Sequence, residues 1–146
     1  MKRMITAAVA ASLIALTVPA HARDDRIKFP IADAMSAADA KAKLDGSVKF
    51  YFSGQKAPAS KHTYGTFTAN KKTNGLNKSD KGACEWAFMS AMLALQTRAL
   101  REGGNAVVDI HSVYKNNEFK SATEYECGAG TFVAGVALRG TVVKLP

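Results

Sequence analysis

The stretch Gly103–Phe119, GGNAVVDIHSVYKNNEF, decides how the rest of the chain is read. Two glycines stop the segment before them, since glycine takes the positive φ that ends a helix. Ala106–Tyr114 then runs as an apolar strand broken by one aspartate and one histidine. Lys115–Glu118 is read as a hairpin turn, because asparagine tolerates the left-handed conformation, and Phe119–Cys127 as the returning strand. In a strand of period two, Asp109 and His111 share a face, and Val108 and Ile110 share the other. The expectation is that the valine and isoleucine meet a helix while Asp109 and His111 meet solvent.

The helix lies just upstream. Over Gly82–Glu102, Trp86, Met89, Leu93 and Leu100 fall on one stripe, and Phe88, Met92, Leu95 and Ala99 fall beside it. So wide an apolar arc predicts packing on a sheet with cover from more than one neighbour. Ser79 or Asp80 is placed to cap its start, and Arg98 and Arg101 suit the dipole at its end. Downstream, Thr131–Leu145 is a third long strand, with Gly135 and Gly140 as places for a kink.

Towards the N-terminus, SVKFYFSG alternates Val48, Phe50 and Phe52 with polar neighbours, and HTYGTFTAN does likewise. These two strands are expected to pair antiparallel through the Gly54–Lys61 loop. Ser36–Leu44 is one short helix capped by Ser36, and Arg23–Lys28 is a loose lead-in before a short extended Phe29–Ile31. The sum is an α+β fold: an antiparallel sheet of about five strands, one long helix on one face, and a short N-terminal helix.

Length and composition set the compartment. The chain has 146 residues and a formal charge of +8. Lys2 and Arg3 precede an uncharged apolar run, Met4–Val18, and Ala20-His21-Ala22 offers small residues at the −3 and −1 positions. That is the pattern of a secretory signal peptide over residues 1–22, with one domain over 23–146. The run is shorter than the ~20 residues of a spanning helix, so no stable membrane insertion is expected after cleavage. No cysteine follows the cleavage site, which argues against a lipid anchor. Residues 23–146 carry +6, because Lys2 and Arg3 are the basic residues lost with the leader and every acid lies beyond it. The expected destination is the periplasm or the medium, where nucleic acid is not an expected partner; an envelope protein or an anionic ligand suits a basic surface. Cys84 and Cys127 are an even pair in an exported chain, so a disulfide is expected. It would contribute roughly 4 kcal/mol by chain entropy.

Three constellations carry chemistry. Asp109 beside His111 has the makings of an oriented general base, but no serine lies in a nucleophile-elbow sequence and both cysteines are spoken for. His111 and Asp109, with Glu124 and Glu126 brought near by the hairpin, and His62 in reserve, are the available ligands for a divalent metal. No spacing in the chain specifies one, and no cofactor is predicted. Lys71, Lys72, Lys78 and Lys81 precede the long helix, where free N–H groups favour anions. The order NGLNKSDKG is not a phosphate loop, because Asn77 stands before Lys78-Ser79 where a glycine is needed. The plainer account of each is a solvated polar face, and the chain reads as a non-enzymatic binding or envelope-associated module.

REGGNAVVDIHSVYKN resembles two groups of small bacterial α+β proteins: the heavy-metal-binding family of the YbjQ type, and the periplasmic domain of the RcsF envelope-stress lipoproteins. The likeness covers about residues 83–143. It implies a helix packed on an antiparallel sheet, and in the RcsF type disulfides as well, although this chain lacks that type's lipid-anchor cysteine. KLDGSVKFYFSGQ, NKKTNG, KSDKGACEWA and SATEYECGAG are similar to small exported proteobacterial proteins often labelled "excinuclease ATPase subunit". The chain has neither a Walker A sequence nor the cysteine set of a zinc finger, so that label is not carried over as an activity.

Overall fold

The computed structural model describes residues 23–146, so the signal segment read over 1–22 and its cleavage site lie outside the described residues. Six strands and three helices follow one another as β1 (Asp25–Pro30), α1 (Ile31–Ser36), α2 (Ala38–Lys43), β2 (Lys49–Phe52), β3 (His62–Asn74), α3 (Asp80–Glu102), β4 (Ala106–Ser112), β5 (Glu124–Ala129) and β6 (Val133–Lys144). A 3-10 turn at Tyr114–Asn116 lies between β4 and β5.

α3 forms where expected. Ser79 is its cap, its hydroxyl accepting the Gly82 N–H at 3.0 Å. Gly103 ends it at φ 89°, with the Gly104 N–H returning to the Ala99 carbonyl at 2.8 Å. A side chain at Gly103 would strain that left-handed cap. The helix buries Cys84, Phe88, Met92, Leu95 and Ala99 against the sheet. The Phe88 ring lies 4.3 Å from Tyr125 and 6.1 Å from Phe52. The stripe of Trp86, Met89, Leu93 and Leu100 is not fully covered, contrary to expectation: Trp86 is 50% and Leu100 49% exposed. The ammonium of Lys43 stands 4.8 Å over the Trp86 ring, which partly replaces an apolar neighbour.

β6 is the spine of the sheet. β3 pairs with it antiparallel along its whole length, from His62↔Lys144 to Asn74↔Val133. The opposite edge of β6 is shared: β5 takes its beginning through Gly128↔Gly135, and β4 takes its end through Ala106↔Val143 to Ser112↔Leu138. β1 lies outside β5, antiparallel, and β2 lies outside β4. The β2–β4 pair is parallel, so the sheet is mixed rather than purely antiparallel. β3 and α3 intervene between those strands, a crossover long enough for parallel pairing. Along β6, Ala134, Val136, Leu138 and Val142 belong to the core under α3, while Val143 joins a smaller cluster with Ala106 and Leu145.

Four local expectations are corrected. β2 and β3 do not form a hairpin; each finds a partner from the C-terminal half. β4 and β5 do not form one either, because only the Ser112↔Phe119 bridge joins β4 to the following segment, and the second strand begins at Glu124. The single short helix is two, broken at Ala37, whose ψ of 144° is extended. Ser36 donates back to the Asp33 carbonyl at 3.0 Å and so closes α1 instead of capping α2. The lead-in is a strand, since Asp25–Pro30 pairs residue by residue with Glu124–Ala129.

Cys84 in the first turns of α3 and Cys127 in β5 are bonded, with their Cα atoms 5.9 Å apart. The bond joins helix to sheet where sequence reasoning put it. Among the described residues no helix is long and apolar enough to cross a membrane.

Candidate functional site

Asp109 is where β4 leaves the regular pattern. Its φ is 50°, the left-handed region, and the register against β6 shifts between Val108 and His111. An extra residue in one strand is a β-bulge, and it resets the alternation. Val107 and Ile110 therefore share the core under α3, and Val108 packs on the opposite cluster. The expectation that Val108 and Ile110 share a face fails for this reason. His111 does not meet solvent either: it is 6% exposed.

The bulge gathers a small polar cluster. The Ser53 hydroxyl donates to Asp109 Oδ1. His111 Nδ1 lies 2.7 Å from the backbone carbonyl of Asp109, an acceptor, so Nδ1 carries the proton and Nε2 the lone pair of the neutral ring. Nε2 is 3.0 Å from Glu118 Oε1 but off the line of a hydrogen bond, and it is buried without another partner. Lys120 Nζ stands 3.5 Å from Asp109 Oδ2 and 3.9 Å from Glu118 Oε1. The Ser53 hydroxyl first, with the Lys120 ammonium adding to it, holds the Asp109 carboxyl below its ordinary value against the opposing effect of burial.

This arrangement does not make a nucleophile. Ser53 donates its hydrogen bond to a carboxylate of lowered pKa, a weak base, and not to the imidazole, and the ring's donor is spent on the backbone. A general base needs its lone pair within reach of the hydroxyl it activates; here Nε2 faces Glu118.

Of the expected metal ligands, Asp109 and His111 share the bulge, and the others lie apart from them. Glu124 and Glu126 lie on β5, opposite Pro30 and Lys28 of β1. Glu124 is exposed; Glu126 is buried, with its N–H on the Ser112 hydroxyl at 2.8 Å and one carboxylate oxygen unpaired. His62 opens β3 and packs its ring 4.5 Å from Tyr64. Among the described residues no three His, Cys, Asp or Glu side chains converge on one point. His111 Nε2 and Glu118 are the pair best disposed toward a cation, with Lys120 competing for the carboxylate.

The lysines separate too. Lys81 pairs with Asp33 at 2.7 Å and Glu85 at 3.8 Å, which raises its pKa. Lys78 approaches the Trp86 ring at 5.6 Å. Lys72 borders a hollow beside Tyr114 and Lys115. Lys71 instead lines a groove of about 580 Å³ between β3 and α3, with Arg98 and Arg101 also on its walls. Arg98 lies flat on Phe67, 3.8 Å from the ring centre, and bonds Glu102 at 2.8 Å.

Sequence reasoning missed Ser53, Glu118 and Lys120 at the bulge, and the meeting of Lys71 with Arg101. Ser53 and Asp109 are 56 residues apart, joined only through the β2–β4 pairing. No local spacing signals that contact.

No family model matches the chain, and no match to it was found among curated proteins or solved structures.

Proposed function

We propose that residues 23–146 form an exported, non-enzymatic binding module of the cell envelope. The observation that supports this most is the closed state of the bulge cluster. Ser53 donates to the Asp109 carboxylate and His111 Nδ1 to the backbone, so the hydroxyl is not aimed at the imidazole lone pair. The signal-peptide pattern over 1–22, the Cys84–Cys127 bond and the resemblance to small exported proteobacterial proteins support export.

Two measurements test the reading. Mass spectrometry of the exported protein should give a chain that begins at Arg23 and has no free thiol; an uncleaved chain with two thiols contradicts export. Substitutions Ser53→Ala and His111→Ala should leave any activity found in a broad hydrolase screen unchanged. Activity lost with His111→Ala at an unchanged melting temperature overturns the non-enzymatic reading.

One observation favours a second reading, a module that holds a divalent cation. His111 Nε2 is buried and free of a hydrogen bond beside Glu118, and Nδ1 is fixed on a carbonyl as in many metal-bound histidines. Calorimetric titration with zinc should then give a stoichiometric site lost in both His111→Ala and Glu118→Gln. No heat in the parent protein ends this reading.

A further inference from the structure

We infer that the outer edge of β3, with the groove between it and α3, takes an extended acidic peptide as a seventh strand of the sheet. The inference rests on the reading of the chain as a binding module and names its partner class.

Two observations meet here. The first is the backbone. β3 is thirteen residues long and pairs only with β6 among the described residues, so its other edge is open. The Gly75 N–H on the Phe132 carbonyl at 2.8 Å sets the phase of the ladder. Counting back through the register, Ala69, Lys71 and Thr73 turn their N–H and C=O groups toward β6, and Thr68, Asn70 and Lys72 turn theirs outward. An open row of this length is a template for one more strand. β1 and β2, the other outer strands, have six and four residues.

The second observation is charge. Lys71, Arg98 and Arg101 line the groove, and Lys71 and Arg101 form no salt bridge with a described residue. Phe67 and Ala94 supply apolar floor between them. A strand laid along β3 sends alternate side chains into this groove, so a peptide with carboxylates at every second position meets Lys71 and Arg101, while Arg98 already holds Glu102. The other alternate side chains lie beside Thr66, Thr68 and Asn70, with Arg139 bonded to Thr68 at 3.2 Å and Lys72 next along the same face. The charges decide against a second copy of the chain, since two β3 edges would bring two basic grooves together.

The probe is a short capped peptide alternating glutamate and threonine, with a lysine/threonine peptide as control, titrated into the disulfide-bonded protein. Amide shifts should map to Thr66–Thr73 and to Arg98–Arg101, with the Thr68, Asn70 and Lys72 amides gaining exchange protection. Binding should weaken several-fold between low and physiological salt. Lys71→Glu combined with Arg101→Glu should lower affinity at least tenfold with melting unchanged. Asn70→Pro, which removes an outward donor and no bond to β6, should do the same; if that variant does not fold, the charge reversals decide alone. Equal binding of the lysine peptide, shifts elsewhere on the surface, or self-association through β3 overturns the inference. Cleavage of the peptide would overturn the non-enzymatic reading instead, so the two failures are distinguishable.

Discussion

At the scale of single residues, two positions carry strain or crowding that can be measured. Gly128 lies under Tyr114: a Cβ there would sit 2.0 Å from Cζ and 2.2 Å from the hydroxyl oxygen. That hydroxyl donates to Asp24 at 3.0 Å, beside the Lys115 ammonium. Gly128→Ala should therefore destabilise by about 1–3 kcal/mol in denaturant melts, and Tyr114→Ala in the same chain should absorb most of the added penalty. Additive losses would show that the ring does not rest there. Asp109 holds the left-handed bulge and a pKa below its ordinary value. Asn tolerates that conformation, so Asp109→Asn should keep the fold, whereas Asp109→Ala should lose roughly 1–2 kcal/mol. The sign of the pH effect follows. A depressed carboxyl contributes stability that is complete above its unfolded value, near ~4, and lost as pH falls through the lower folded value. Melting temperature should drop less steeply below that point in Asp109→Asn than in the parent. Parallel profiles would remove Ser53 as a meaningful partner of the carboxylate.

At the scale of elements, the helix was legible and the strand partners were not. α3 declared its stripe, its serine cap and its glycine stop within one stretch of sequence, and all three are local physics. β2 gives no such sign of β4, because pairing depends on what α3 leaves uncovered. The bulge shows the same limit within a strand. Period two holds only while the register holds, and Asp109 breaks it, which buries a histidine expected in water. The disulfide is the long-range link that composition did reveal, since a chain with two cysteines has one pairing to offer. It closes a separation of 43 residues between α3 and β5. Replacing both cysteines with alanine should cost about 2–4 kcal/mol, read as a lower denaturant midpoint with the secondary-structure signal retained at low denaturant. An unchanged midpoint would mean that the bond does not constrain the unfolded chain.

At the scale of the whole molecule, the sheet is organised around one spine with an asymmetric pair of edges. On one side of β6, β4 and β5 divide the work and are themselves covered by β2 and β1. On the other side β3 stands alone. The candidate site follows the same division. The residues that looked chemical in sequence, Asp109 and His111, lie on the covered side, where Asp109 holds Ser53 and His111 Nδ1 holds the backbone. Residues that looked like a solvated loop and a dipole-compensating helix end, Lys71 and Arg101, meet at the open edge. Only the topology brings them together, so no pattern within either segment marks them as a site. The account thus turns on β3 being an unpaired edge in the free protein. Amide hydrogen exchange measured residue by residue tests this most directly. The prediction is an alternation along β3, with Ala69, Lys71 and Thr73 protected by β6 and Thr68, Asn70 and Lys72 exchanging fast. Uniform protection through Thr68–Thr73 would mean that another strand already occupies the edge, and would contradict it.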